Sequence, residues 1–423
     1  MKVRNLFLSM CAIAALASCS KNDDVTPSSN AEEARVTLQL KGDGVETRAV
    51  GDEETATESG AEVDNITVFF FNSTGFIVGS PKYVAKANLS DPIKTTTDAD
   101  QVAIVANLGS DETGTGGKLA GVNSIDQLKT KLLSSVTTVT NPVTKHIINQ
   151  TKDNLYMSGM GKVTMGVDGM TGTATVNLHF LTSRINKVAI EWKTDDSNQN
   201  YGTVTEFKAD KNKWFAIQQV YLMMSQTNSH PLPADAAITG NTVTWTGSFA
   251  PETAQFAFAG GLSWGAAPWL PAPNPTPVQT DTYLVKTDLA AGASGNKVDN
   301  VIASNPWYVF ENPASSDKPT GLIVEVLWRS KDQVESTSPD VLTKYFTIYF
   351  GEKKAGTTPA NQPYLEPGKT YDISLKLNGS FKPGGNGGGG SDDPSKPSVD
   401  ANITVTVNQA KWTTTAEITK DFD

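Results

Sequence analysis

Apolar and polar side chains alternate along Val36-Thr37-Leu38-Gln39-Leu40, the period of a short strand with one face buried. After a polar, acidic stretch from Gly42 to Glu62, β signals become dense. Ile66 to Phe71 leads into Asn72-Ser73-Thr74-Gly75 and then Phe76-Ile77-Val78, which reads as strand, turn, strand. Val102-Ala103-Ile104-Val105-Ala106 is a near-continuous apolar run, fitting a strand buried on both faces. Ile125 to Leu133 carries helical spacing and predicts one short surface helix. Strand character returns from Ala174 to Ile190, where Val176, Leu178 and Phe180 alternate with polar residues, and a first domain closes near Trp192.

Asp195 to Gly202 is a polar turn region and the expected domain boundary. Beyond it come further strand signals at Phe215–Met224, Thr242–Phe249, Phe256–Phe258, Trp307–Phe310, Leu322–Trp328, Tyr345–Phe350 and Tyr371–Leu377, interrupted by a proline-rich loop from Pro268 to Pro277. Short strands without interleaved long helices suit antiparallel sandwiches better than a parallel α/β sheet. The expected fold is therefore mostly β, with two antiparallel β-sandwich domains in tandem and few short helices. A glycine-rich linker follows at 383–400, including Gly384 to Ser391. Then Ile403-Thr404-Val405-Thr406-Val407 alternates strictly toward Trp412, with a further possible strand at Thr414–Thr419. A good strand on a flexible leash must satisfy its edge somewhere, on its own domain or on another molecule.

Composition narrows the function. The 423 residues suffice for two or three domains. With 45 acidic against 35 basic side chains the formal charge is −10, and no basic run stands out, which argues against nucleic acid as a partner. Lys2 and Arg4 precede an apolar stretch from Leu6 to Ala17 that is too short for a permanent span and reads as a signal peptide, residues 1–18. It ends in Leu16-Ala17-Ser18-Cys19, which resembles a bacterial lipobox and implies cleavage before Cys19 and its lipidation. No cysteine follows Cys19, so stability must come from ordinary cores. Arg48, in Thr47-Arg48-Ala49, is a lone basic residue in the acidic stretch and accessible to a trypsin-like protease.

Candidate catalytic patterns fail one by one. Gly261-Leu262-Ser263-Trp264-Gly265 matches a nucleophile elbow, but the three histidines, His146, His179 and His230, all precede Ser263 and the flanks lack helical spacing. No H-E-x-x-H occurs, so no zinc site is expected. Asp196 to Asn200 begins like a calcium loop, yet Tyr201 and Phe207 stand where glycine and glutamate belong. Gly117-Lys118 lacks the rest of a phosphate-binding loop. The expectation is a non-enzyme with no cofactor and no metal.

Taken in order, several patches resemble the FimA-like fimbrillins of Bacteroidales, subunits of type V pili. They are Val68-Phe69-Phe70-Phe71-Asn72 through Gly75; Val102 to Asn107; Leu155-Tyr156-Met157-Ser158-Gly159; Leu181 to Val188; Tyr308 to Asn312; and Pro367-Gly368-Lys369-Thr370-Tyr371. Ser20 to Asp24 also resembles the acidic surface-export tether of Bacteroidota lipoproteins. The resemblance implies a pilus shaft subunit of transthyretin-like, Greek-key sandwiches. Its precursor is lipidated at Cys19 and carried to the outer membrane. An arginine-specific protease cuts between Arg48 and Ala49, releasing residues 19–48 with the strand of Val36, Leu38 and Leu40. The groove left in the N-terminal domain, 49–194, accepts the segment 401–423 of a neighbouring subunit. Ile403, Val405 and Val407 then repeat the vacated alternation and Trp412 follows, while the C-terminal domain, 195–382, carries the leash. Partners implied are identical or related pilin subunits and a host or bacterial surface receptor, in an extracellular fimbrium. A tip or anchor subunit is the nearest alternative. A monomeric glycan-binding lipoprotein using Trp264, Trp269 and Trp307 is another.

Overall fold

The structure, a computed structural model, describes residues 31–42, 63–134, 136–139, 145–148, 155–192, 201–213, 215–223, 225–251, 256–257, 284–285, 293–294, 297–302, 306–313, 320–329, 341–350, 364–377 and 403–411. Its longer strands are β1 (Glu33–Gly42), β2 (Asn65–Phe71), β3 (Lys82–Ala85), β4 (Ile93–Thr96), β5 (Gln101–Ala106), β6 (Met157–Met165), β7 (Thr171–Phe180), β8 (Thr182–Trp192), β9 (Phe215–Met223), β10 (Trp307–Phe310), β11 (Gly321–Trp328), β12 (Leu342–Tyr349), β13 (Lys369–Leu377) and β14 (Ile403–Lys411). Two short helices accompany them, α1 (Ile125–Lys129) and α2 (Val204–Ala209).

Seven strands form the first sheet in the order β3-β2-β5-β6-β7-β1-β4. The path folds over, because side chains from β1, β4 and β7 share one apolar core with Ile66, Val68 and Phe70 of β2 and Val102 and Ile104 of β5. On the opposite face of β2 and β5, Phe69, Phe71, Ala103 and Val105 pack with Leu128, Phe249 and Phe310 in a second core. Both faces of β5 are thus covered, as its unbroken apolar run requires. Helix α1 is shorter than its periodicity suggests. Leu133 leaves the helical path to bridge to Ser229 in a short strand pair and is fully buried there.

The apparent single strand from Ala174 to Ile190 is two. The chain breaks at Leu181, whose N–H donates to the Tyr156 carbonyl at 3.0 Å, and β8 passes into another sheet. There β8 pairs with β10 and β13, strands of the downstream half, although the sequence reading closes the first domain only near Trp192. A further sheet joins Leu284–Val285, β9, β11 and β12. β11 is buried along its whole length.

The expectation of purely antiparallel sheets needs correcting at two places. β1 runs parallel to β7, and β8 runs parallel to β13. Parallel neighbours need long connections, and both pairs join segments far apart in the chain. The sequence reading also missed β3, β4, β6 and α2. β6 is rich in glycine for a steric reason: a Cβ on Gly159 or Gly161 would run into the carbonyl oxygens of Asn177 and Thr175 on β7. α2 is announced by a reciprocal capping box, in which the Thr203 hydroxyl accepts from the Glu206 N–H at 2.9 Å and the Glu206 carboxylate accepts from the Thr203 N–H at 2.9 Å.

Candidate functional site

β1 is an interior strand. Arg35 to Gly42 lie opposite Thr171 to Leu178 of β7, and Glu33 to Val36 lie opposite Thr96 to Ile93 of β4. Ala34, Val36, Leu38 and Leu40 point into the core, at 1%, 0%, 9% and 5% exposure, while Arg35, Thr37 and Gln39 face solvent. Burying one Val and two Leu stabilises the domain by roughly 5–9 kcal/mol as an upper bound. Gly172 makes room for this fit, since a Cβ there would come within 3.3 Å of Val36 Cγ2. β4 stands at the end of the sheet, so among the described residues β1 is its only strand neighbour. The surface ion pairs of β1, Lys94 to Glu33 at 3.1 Å and Arg35 to Glu33 at 3.9 Å, are exposed and add little.

Val36→Asp is expected to destabilise the first domain by on the order of 4 kcal/mol, because a carboxylate would be buried without a partner. Thr37→Asp, on the exposed face, should stay within about 0.5 kcal/mol of the parent. Urea unfolding of both variants checks this, and equal midpoints would remove β1 from the core.

β14 behaves differently. It pairs antiparallel with β13 alone among the described residues, with Ile403, Val405 and Val407 opposite Leu377, Leu375 and Ile373. The C-terminal strand therefore lies against its own chain here, as an edge strand. Cys19, Arg48, Ala49 and Trp412 fall outside the described residues, as do the G-x-S-x-G stretch, Asp196 to Asn200, the whole glycine-rich linker at 383–400 and the strand expected at Thr414–Thr419.

Groups suited to other chemistry are dispersed among the described residues. The His179 ring stacks on Trp245, with centroids 5.0 Å apart, whereas His230 Nδ1 lies 2.8 Å from the Lys131 carbonyl oxygen. Lys118 closes its own loop: its N–H and ammonium both reach the Glu112 carboxylate, at 3.0 and 3.4 Å. Trp307 is 1% exposed within β10, so it cannot serve as a sugar-stacking platform, and Trp264 and Trp269 lie outside the described residues. No cluster of three or more potential metal ligands occurs among the described residues.

One buried carboxyl stands out. Glu311 is 4% exposed and accepts from the Phe249 N–H at 2.6 Å. Burial pushes its pKa above the ordinary 4.5, against the opposing pull of hydrogen bonds from Phe249 and Ser248. A carboxyl raised on folding favours the folded state when protonated. That contribution is complete below its unfolded pKa and is lost as pH rises through the raised value. Glu311→Gln keeps an acceptor for Phe249 but cannot ionise. Its melting temperature relative to the parent should therefore climb as pH rises above the ordinary 4.5 and through the raised value. A difference independent of pH would show that Glu311 does not titrate with folding.

Comparison with known proteins places these features in context. Residues 34–206 match the model for "Major fimbrial subunit protein (FimA)" and residues 237–412 match "FimA-like major fimbrial subunit protein, C-terminal domain". A Parabacteroides distasonis protein named "Putative fimbrium tip subunit Fim1C" is 28% identical over 167 residues, a match spanning 38% of this chain and 39% of that relative. Among solved structures, a "putative cell adhesion protein" from Bacteroides eggerthii aligns over 90% of this chain and 96% of its own, with 22% identity and a TM-score of 0.56. A second so named, from Parabacteroides distasonis, covers 90% of this chain and 98% of its own, at 17% identity and a TM-score of 0.51. At these identities the two structures establish the fold alone.

Proposed function

The chain belongs to the FimA-like major fimbrial subunit family, a structural and non-enzymatic one, and from that premise we propose that it is a shaft subunit of a surface fimbrium that polymerises by exchanging one strand for another. The observation that carries this reading is the position of β1. It is an interior strand, filling a slot between β7 and β4, and its chain leaves at Gly42 toward Arg48. Cleavage between Arg48 and Ala49 would detach β1 covalently while leaving β2 to β7 in place. The empty slot would expose an apolar trough and two rows of unpaired backbone groups, a costly state unless another strand fills it.

The donor in this reading is β14 of a neighbouring subunit. Ile403, Val405 and Val407 repeat the spacing of Val36, Leu38 and Leu40. Moving from an edge, with β13 as its only described neighbour, to a slot between two strands adds a second set of ladder bonds, which drives the exchange. The linker at 383–400 gives a flexible reach of about 25 Å. Each subunit donates at one end and accepts at the other, so the contact does not close on itself and a filament grows. Before cleavage, lipidation at Cys19 holds the precursor at the outer membrane. We read each half as a transthyretin-like, Greek-key sandwich, in keeping with the shared cores on either side of β2 and β5.

A tip subunit is the second reading, favoured by the name of the Parabacteroides relative. A tip needs an acceptor slot but no free donor, so possession of both Arg48 and β14 favours the shaft. The test is digestion of the unlipidated chain with an arginine-specific protease, followed by mass spectrometry and negative-stain microscopy. A cut after Arg48 with loss of the β1 fragment and growth of filaments supports the shaft. Capping of filaments made by another subunit, without self-assembly, would point to the tip.

A further inference from the structure

A cavity of about 410 Å³ opens where β7 ends and β13 begins, a size that suits a small molecule. His179 and Phe180 line it from the end of β7, and Trp245, Phe249, Glu311 and Glu366 line it from downstream segments. One wall is aromatic: His179 stacks on Trp245 at 5.0 Å, and Trp245 meets Phe249 edge-on at 5.8 Å. Nothing in the strand-exchange reading uses this cavity.

The donors of the lining are already engaged. The N–H groups of Thr246 and Gly247 donate to the Asp235 carboxylate at 3.1 and 2.7 Å, and the Thr246 hydroxyl donates to it at 2.6 Å. The Phe249 N–H is taken by Glu311 at 2.6 Å, and the Gly368 N–H by the Thr182 carbonyl at 2.9 Å. Lys369 is bonded to Glu366. An anion would find little here to bind. The acceptors are the opposite case. Glu311 is buried, its hydrogen bonds come from neutral groups, and among the described residues it forms no ion pair. Burial raises its pKa, and the nearby charge of Glu366 raises it further. Burial and the same two carboxylates also push up the Tyr364 hydroxyl. Negative charge is thus concentrated beside aromatic rings.

We propose that this cavity is a binding site for a small organic ammonium ion, a primary alkylamine in its protonated form. An ammonium group has three donors and no acceptor, which matches a lining whose unspent polar groups are carboxylates. Its bonds to Glu311 and Glu366 are charge-assisted and therefore the strong kind. Its charge and its alkyl chain both suit the wall of Trp245, His179 and Phe249, because aromatic rings attract cations and bury apolar surface. A neutral alcohol or sugar can donate to the same oxygens, but it leaves the charge of a buried carboxylate unbalanced. The site acts in the single, uncleaved chain and needs neither proteolysis nor a second copy.

Titration of the uncleaved chain with n-butylammonium chloride, followed through the ligand's own NMR signals, tests this. About 0.15 M sodium chloride screens the general pull of a chain whose formal charge is −10. The ammonium should bind at least about tenfold more tightly than n-butanol, which has the same alkyl chain without the charge. Glu311→Gln keeps an acceptor for the Phe249 N–H and should weaken binding about tenfold. Glu366→Gln, at a side chain 34% exposed where the fold tolerates the change, should weaken it about threefold. Absence of saturable binding, n-butanol binding as tightly as the ammonium, or unchanged affinity in the folded variants would overturn the proposal. So would glucose binding more tightly than n-butylammonium and losing affinity in the same variants, which would assign the cavity to a neutral sugar.

Discussion

The Arg48→Ala chain is expected to survive an arginine-specific protease with β1 attached and to remain a monomer while the parent assembles. The sequence holds five arginines, at positions 4, 35, 48, 184 and 329. Proteases take an extended, unpaired backbone into their clefts, and three of these arginines do not offer one. Arg35 lies in β1, where its N–H donates to the Met170 carbonyl at 2.8 Å. Arg184 lies in β8 between β10 and β13. Arg329 directly follows β11 and is 5% exposed, its guanidinium donating to the Phe207 carbonyl at 2.6 Å and lying over that ring. Arg48 sits between two strands in a stretch rich in Asp, Glu, Thr and Gly. Loss of this one side chain should therefore reduce filament yield to background without changing the unfolding midpoint of the precursor. Release of the fragment from Arg48→Ala at the parent's rate would move the cleavage site elsewhere. A cut parent that stays monomeric would sink strand exchange itself.

Deleting residues 401–423 should have the opposite profile. Cleavage proceeds, β1 is lost, and growth stops because the subunit can accept a strand but has none to give. Mixed into parent protein, the truncated chain should shorten filaments in proportion to its share. The same experiment yields a direct binding measurement. A peptide of residues 401–423 should bind the cleaved protein and not the precursor, because β1 occupies the slot until it is cut free. Val405→Asp in that peptide should weaken binding at least about tenfold, since it would carry a charge into the trough that Leu38 fills. Equal binding to precursor and cleaved protein would place the peptide outside the slot.

Much of this was legible from local pattern. The alternation of Val36, Leu38 and Leu40 found β1 and the face it buries, because a period of two in a strand is set by backbone geometry alone. The unbroken run Val102–Ala106 announced a strand covered on both sides. Other elements were hidden for identifiable reasons. β6 lacks the β-branched density of a typical strand because Gly159 and Gly161 yield their side-chain space to the backbone of β7. The capping box of Thr203 and Glu206 was there to be read and marks α2. Trp307, in a cluster that looked suited to sugars, is core.

By itself the sequence determined a mostly β chain, the strand signals at both termini, a glycine-rich stretch before the last of them and a single arginine in the acidic stretch after the first. These are local properties, written in the order of side chains and decided by burial period and chain flexibility. Only the tertiary structure decided where the terminal strands lie and in which direction they run. Alternation carries no sense of direction, so nothing local distinguishes β1 parallel to β7 from β1 antiparallel to it. Nor can it tell an interior slot, with neighbours on both edges, from the single-sided edge that β14 occupies. Those differences arise from which distant segments supply the hydrogen bonds, and among the described residues they leave β1 bonded along both edges and β14 along one.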